Sequence, residues 1–326
     1  MLDSPPTPTQ PVHRRALKLE PVPCAVCGAS GAPIVGSGED FEYRTSDDEF
    51  RARRCDTCGL VYLDPRPAAS ELDRIYGPDY HAFAFTAEAY GLVHRVRRRL
   101  EARRLLCACE GLPANARILD VGCGDGFHLD LLREYGRPTW RLMGVDPSSL
   151  AVEAARRRGL DVRLARVEEI PVPDGGVDLV LLIQTIEHLA EPGAALVAIR
   201  RALAPGGRLV VVTDNTDSPD FTLFRRRHWG GYHFPRHFCL FAPRPLTRLA
   251  AASGLHVESL TTIVSPVNWV YSIHNLLADH GAPEAMVRFF TLRSPLALGV
   301  FTAVDLGFQL VGRGALLRAV LRPEPR

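Results

Sequence analysis

The chain has 326 residues, enough for one large domain and a small one. Hydrophobic residues make up 46% and charged residues 23%, the balance of an ordinary water-soluble core. The net charge of +2 excludes a general electrostatic pull toward nucleic acid or a bilayer, and Lys18 is the only lysine, so arginine carries the positive charge.

Residues 1–23 contain Pro5, Pro6, Pro8, Pro11, Pro21 and Pro23 and no apolar core. They are expected to form a disordered tail, and they lack the pattern of a secretion signal. Residues 24–67 follow as a small module. Cys24-Ala-Val-Cys27 and Cys55-Asp-Thr-Cys58 each set two sulfurs on a tight knuckle, with Gly28 and Gly59 just after. Two such knuckles can close a tetrahedral, structural Zn2+ site. With sulfur in all four positions, that metal has no open position for chemistry. A redox use of one pair leaves the other unexplained, so a reducing cytoplasm is the expected location.

Residues 68–114 are expected to form a helical connector. Its basic stretch, HRVRRRLEARR at 94–104, spreads arginines over several helical faces, as a solvated helix does. From 115 to 265 strand-like and helix-like segments alternate. RILDVG, WRLMGVD, DVRLA, VDLVLLIQ, GRLVVVT and LHVESLTTIV have strand character; GFHLDLLREYG, SLAVEAARRRG, AALVAIRRAL and PLTRLAAASG have helix character. This alternation predicts an α/β fold, a doubly wound, Rossmann-like, mostly parallel sheet covered by helices on both faces. Residues 266–314 are expected to be a helical insertion. Within it, 295–312 is apolar but interrupted by Asp305 and Gln309, which suits a buried or membrane-surface helix better than a membrane span. Residues 315–326 are expected to form a closing edge strand and tail.

The first strand of this pattern runs into ILDVGCGDGF. Gly122, Gly124 and Gly126 would let the backbone turn tightly and approach a ligand at the carboxyl end of the strand. The helix that follows offers free N–H groups to an anionic group. A dinucleotide fingerprint would need a third glycine where Phe127 stands, and the spacing is instead D-x-G-x-G-x-G led by Asp120. Asp146 ends the second strand, where a carboxylate can accept from both ribose hydroxyls.

The segments ILDVGCGDG, GVDPS, VDLVLLIQTIEHL and LAPGGRLVV, in this order, resemble the class I S-adenosylmethionine-dependent methyltransferases. The resemblance covers roughly 115–265 and implies S-adenosylmethionine as cofactor. It implies that Asp120, Gly122, Gly124 and Gly126 hold the methionine part and Asp146 the ribose. Cys123, Pro147 and Gln184 are further cofactor-side residues by the same likeness. Val167, in RVEEIPVPD, falls on the adenine side, where Arg166 replaces the acidic residue of many members.

The stretch CDTCGLVYLDPRP, followed by YGPDY, resembles a zinc-ribbon subgroup that includes deoxysugar C-methyltransferases and proteins of polysaccharide and natural-product pathways. This implies a small-molecule acceptor, such as a sugar nucleotide, glycan or secondary-metabolite intermediate, methylated on carbon or oxygen. Tyr76 and Tyr80 fall where the subgroup carries aromatics near the substrate. Glu187 and His188 of IQTIEHL match residues that reach the acceptor, and histidine can exchange a proton near neutral pH. RRRHWGGYHFPRHFCLF, residues 225–241, is expected to form a lid or acceptor wall. By its likeness to the subgroup's W…PRH…F segment, Trp229 is the wall, and Arg236 and His237 touch the acceptor. Asn215 matches the family's polar residue after the same strand. His81 and His128 are taken as bystanders.

Two rivals stand beside this expectation. Ribosomal-RNA guanine methyltransferases also join a four-cysteine module to this fold. The small net charge, and Asp40, Asp47, Asp48 and Glu49 in the ribbon, argue against the clustered basic face of an RNA binder. The other rival is a non-catalytic binding protein on a degenerate version of the fold.

Overall fold

The structure is a computed structural model and describes residues 15–77, 87–170, 172 and 175–324. Its strands in chain order are β1 (Leu19–Glu20), β2 (Ile34–Gly38), β3 (Phe50–Arg54), β4 (Val61–Leu63), β5 (Arg66–Pro67), β6 (Arg117–Val121), β7 (Arg141–Asp146), β8 (Val162–Leu164), β9 (Val177–Ile183), β10 (Leu203–Asp214), β11 (Cys239–Leu240), β12 (Leu255–Ile263) and β13 (Leu316–Pro323). The α-helices are α1 (Leu72–Ile75), α2 (Ala87–Ala108), α3 (Phe127–Tyr135), α4 (Ser149–Arg157), α5 (Pro192–Ala202), α6 (Pro219–Phe224), α7 (Pro243–Ala252), α8 (Val267–Asp279), α9 (Glu284–Phe289) and α10 (Pro295–Leu310).

The main sheet has the order β12-β13-β10-β9-β6-β7-β8. The run from β8 to β10 is parallel, and β13 is antiparallel to both neighbours. The chain moves outward from β6 to β7 and β8, then returns to β9 on the other side of β6. That reversal opens a crevice at the carboxyl ends of β6 and β9. Alternate residues of β9 feed two cores. Leu179 and Leu181 pack with Leu105 of α2 and Leu131 of α3. Val180 and Leu182 pack with Leu196 of α5 and Leu249 of α7. Such two-sided burial explains why β9 reads as a continuous apolar run.

Local signals set the helix starts. Ser148 accepts the Ala151 N–H at the start of α4, and Ser294 does the same for Ala297 at α10. Proline stands in the first turn of α5, α6, α7 and α10.

Three sequence expectations need correction. The tail was expected to be disordered to residue 23, but β1 pairs with β5, Leu17 is buried, and the Val22 N–H bonds to Asp64. Apolar contact and backbone pairing hold residues 15–23, while residues 1–14 lie outside the described residues. The C-terminal strand was expected at an edge. β13 instead lies inside the sheet, and β12 is the edge. Finally, residues 225–241 do not form a lid. They run into β11, which completes an antiparallel sheet of order β11-β4-β3-β2 with the N-terminal strands. Trp229, Tyr232, Phe234 and Phe238 are buried in a single apolar cluster with Phe50 and Tyr62 on one side and Leu182 and Val211 on the other. The N-terminal module is thereby packed directly onto the main domain.

Candidate functional site

The glycine turn joins β6 to α3, with Gly122, Gly124 and Gly126 at φ of 70°, 54° and 84°. These left-handed conformations disfavour any residue with a Cβ. The three glycines differ in what surrounds them. A Cβ on Gly122 would meet the Thr185 side chain at 2.4 Å, and one on Gly126 would meet Leu160 at 2.4 Å. At Gly124 a Cβ would meet nothing within 4 Å. Two glycines therefore serve packing, and the middle one leaves main chain bare toward the crevice.

Asp146, at the end of β7, braces this turn. One carboxylate oxygen accepts the Gly124 N–H at 2.8 Å and the other accepts the Ser148 N–H at 2.8 Å. Burial raises its pKa, against the pull of those two bonds. Each oxygen keeps a further lone pair for a hydroxyl donor. Asp120 is 1% exposed, and its Oδ2 has no hydrogen-bond partner. His128, expected to be a bystander, places Nδ1 3.5 Å from that oxygen. Burial pulls the His128 pKa down, but Asp120 more than offsets this and raises it. A buried carboxylate, approached on one oxygen only by His128 at 3.5 Å and next to bare main chain, suits the ammonium end of an amino-acid group. The residues present therefore fit S-adenosylmethionine.

The other cofactor-side residues fall around this crevice to different degrees. Gln184 sits exposed just after β9 at φ 49°, a strained conformation for a residue with a side chain. Pro147 is exposed beside Asp146. Val167 is buried in the core. The Cys123 side chain points away, into a cluster with Leu129 and Val152, so only its backbone belongs to the turn.

Three residues after Gln184, a second group of side chains gathers. Glu187 is fully buried; Thr213 donates to its Oε2 at 2.8 Å, and its Oε1 has no partner. The Phe238 N–H bonds to the Glu187 carbonyl at 2.7 Å, which brings His237 beside His188. Their ring centroids are 4.6 Å apart. His237 Nδ1 lies 2.8 Å from the Gly231 carbonyl oxygen. His188 Nδ1 lies 2.9 Å from the Tyr76 hydroxyl and 3.2 Å from the Arg236 carbonyl oxygen.

Burial governs the charges here. It pushes the His188 pKa down to about 3, helped by the nearby His233. It lowers His237 well below the usual histidine range, with His188 and His233 adding to the effect. It lifts Glu187 well above the carboxylate range, with Asp214 adding to the rise. Asp214, at the end of β10, is raised by burial to about 7 and accepts the Asn268 amide at 2.7 Å. It lies 3.5 Å from His237 Nδ1, a neighbour that the TDN motif concealed because Asn215 drew the expectation instead.

Three residues expected at the acceptor are engaged elsewhere. Arg236 is fully buried and ion-paired with Asp40, both contacts at 3.2 Å, and it also donates to the Ile75 carbonyl. Burial would raise the Asp40 pKa, but the arginine's charge and bonds outweigh it and hold the carboxyl low. Trp229 is 1% exposed, packs on Phe221 and Tyr232, and donates its indole N–H to Asp220 at 2.7 Å. Asn215 is buried and spends its amide on the Gly314 carbonyl. All three secure the fold and present no group to an acceptor. Tyr76 does reach the histidines, whereas Tyr80 and His81 lie outside the described residues.

In the N-terminal module the four cysteine sulfurs converge within 4.8 Å of one another. The Cys24–Cys58 and Cys27–Cys55 sulfur pairs are 3.4 Å apart. That is far too long for a disulfide at ~2.05 Å. It is close to the edge of a tetrahedron, ~3.8 Å, for thiolates ~2.3 Å from zinc. Gly28 and Gly59, at φ of 73° and 86°, close the two knuckles. The donor set fits a closed tetrahedral zinc ion.

Comparison with known proteins bears on the main domain. Residues 92–260, just over half of the chain, match the family described as methyltransferase domain. A 37.1 kDa protein in transposon TN4556 of Streptomyces fradiae is 33% identical over 177 residues, covering 49% of this chain and 49% of its own. A probable S-adenosylmethionine-dependent methyltransferase of Mycolicibacterium smegmatis is 34% identical over 121 residues, 36% of this chain and 44% of its own. A ubiquinone biosynthesis O-methyltransferase of Bradyrhizobium is 34% identical over 113 residues, 33% of this chain and 43% of its own. The chain thus spans no more than about half the length of these relatives. A domain match of this extent, on a sheet of this strand order, makes the chain a member of the methyltransferase-domain family, of the class I S-adenosylmethionine-dependent type.

Proposed function

We propose that this chain transfers a methyl group from S-adenosylmethionine to a small-molecule acceptor. The observation that carries the reading is the bare Gly124 backbone, braced by Asp146, on the turn that follows the buried Asp120 carboxylate, whose Oδ2 has His128 Nδ1 3.5 Å away. Asp120 would hold the amino-acid end and Asp146 the ribose. When bound, the sulfonium supplies an activated methyl, so the protein has to align the acceptor and accept a proton from it. Burial favours the neutral form of His237 and His188, and with Nδ1 of each against a carbonyl oxygen, Nε2 is the nitrogen that would accept that proton. Asp214, close behind His237, can stabilise the charge that forms there.

The acceptor is proposed to be a sugar nucleotide, glycan or secondary-metabolite intermediate, methylated on oxygen or carbon. Partial similarity to an O-methyltransferase of ubiquinone biosynthesis supports a small acceptor. The RNA alternative loses support on α2, where Arg98 pairs with Glu134 and Asp130, and Arg104 with Glu101. The four cysteines are proposed to hold a structural zinc, which suits a reducing cytoplasm. Among the described residues no helix is long and apolar enough to cross a membrane. Contact of the exposed Leu296, Val300 and Leu310 of α10 with a bilayer surface is a further part of the reading, tested by flotation with lipid vesicles.

Calorimetric titration with S-adenosylhomocysteine tests the central claim. One site per chain is expected, lost in Asp146→Ala. Folded protein without binding would overturn it. Methyl transfer from labelled cofactor to a panel of nucleotide sugars and phenols then identifies the acceptor.

A further inference from the structure

We propose that Glu187, His188 and His237 form a binding site for a divalent transition-metal cation, distinct from the four-cysteine centre. One ligand atom from each of the three lies within 4.8 Å of the others. Ligands ~2.1 Å from one ion stand ~3–4 Å apart, so small side-chain rotations close the site.

The orientation of each group supports this. Oε1 of the fully buried Glu187 has no partner. Ionised, it is an unpaired anion; protonated, its O–H finds no acceptor. Either form carries the cost of a buried unsatisfied group, and a cation would remove it. Both imidazoles are held from behind. His237 Nδ1 donates to the Gly231 carbonyl at 2.8 Å. His188 Nδ1 sits against the Arg236 carbonyl at 3.2 Å and the Tyr76 hydroxyl at 2.9 Å. A proton on each Nδ1 leaves the Nε2 lone pair free. Outer partners that lock the tautomer in this way are the usual support for metal-binding histidines.

Two imidazoles and one carboxylate suit zinc, cobalt, manganese or iron better than magnesium or calcium. Three protein ligands also leave coordination positions open. Resting on the methyl-transfer reading, those positions would take an acceptor oxygen and lower the pKa of its hydroxyl; with Nε2 of both histidines on the metal, they act as ligands in place of bases, and the hydroxyl proton leaves to solvent water. The class of acceptor is then one with a hydroxyl or enol oxygen at, or next to, the methylated atom. A second His–Asp–His group, His228, Asp279 and His280, is weaker, because Arg227 already pairs with Asp279.

The full chain, with zinc in its cysteine site, is titrated with cobalt(II) chloride and followed by absorption. The expected result is one cobalt per chain with weak visible bands and no thiolate-to-cobalt band in the near ultraviolet. His237→Ala should weaken uptake by about tenfold or more, since even loss of an outer partner costs that much. Glu187→Gln, which keeps the volume and the Thr213 contact, covers the case in which the alanine variant fails to fold. Cobalt appearing only with the thiolate band, or uptake unchanged in Glu187→Gln, would overturn the site. S-adenosylhomocysteine titration of the same samples separates the two claims. Binding of that compound without cobalt uptake removes the metal site alone, and cobalt uptake without it removes the methyl-transfer reading.

Discussion

Gly122 and Gly124 have similar backbone angles and opposite surroundings, so alanine should affect them differently. Gly122→Ala drives a methyl into Thr185 and should destabilise the fold by ~2–3 kcal/mol or more, read as a lower denaturation midpoint. Gly124→Ala meets only open space and should cost ~1–2 kcal/mol of backbone strain. It should nevertheless weaken S-adenosylhomocysteine binding at least as much as Gly122→Ala does; unchanged binding would mean that no ligand lies there. Asp220 offers a pH test. Burial raises its pKa from 3.8 to about 6, and its Oδ1 has no partner. A folded pKa above the unfolded one favours folding at low pH, and that advantage disappears as pH rises through about 6. A shift of about two units corresponds to ~3 kcal/mol between pH 3.5 and pH 8. Asp220→Asn should flatten this part of the stability profile, and a profile identical to the parent's would show that Asp220 titrates normally.

The segment from Trp229 to Leu240 is the element whose role the sequence concealed. Its histidines, aromatics and arginine have the composition of an active-site loop. Burial assigns most of them to the joint between the ribbon and the sheet, and leaves His237, with His233 4.9 Å from it, beside His188. Arg236 is central to that joint. Arg236→Ala would strand the buried Asp40 carboxylate and should cost ~3–5 kcal/mol. Adding Asp40→Asn should recover part of that loss, measured as a double-mutant cycle in denaturant. An additive result would mean the pair is not coupled. The parallel strands and their helices were legible because apolar period and glycine turns are local signals. The partner of Arg236 was not, because Asp40 lies 196 positions away and only the packed ribbon brings them together.

Across the whole molecule, the ribbon and the methyltransferase domain share one apolar cluster and the strand β11. Removal of the proposed zinc should therefore be felt beyond the ribbon. Chelation is expected to lower the melting temperature by at least about 5 °C, roughly 3 kcal/mol for a chain of this size, and to red-shift emission from the buried Trp229. Loss of zinc with no change in either would show that the ribbon is independent of the metal. By itself the sequence determined the α/β class, the glycine turn, the two cysteine knuckles and the residues at the ends of the parallel strands. Each is written in a few neighbouring residues, where backbone geometry and side-chain chemistry act over short distances. Only the tertiary structure decided that β13 lies inside the sheet, that Arg236 and Trp229 belong to the core, and that Glu187, His188 and His237 meet. Those outcomes depend on which distant surfaces exclude water together, and a side chain's polarity says nothing about the partner that will bury it.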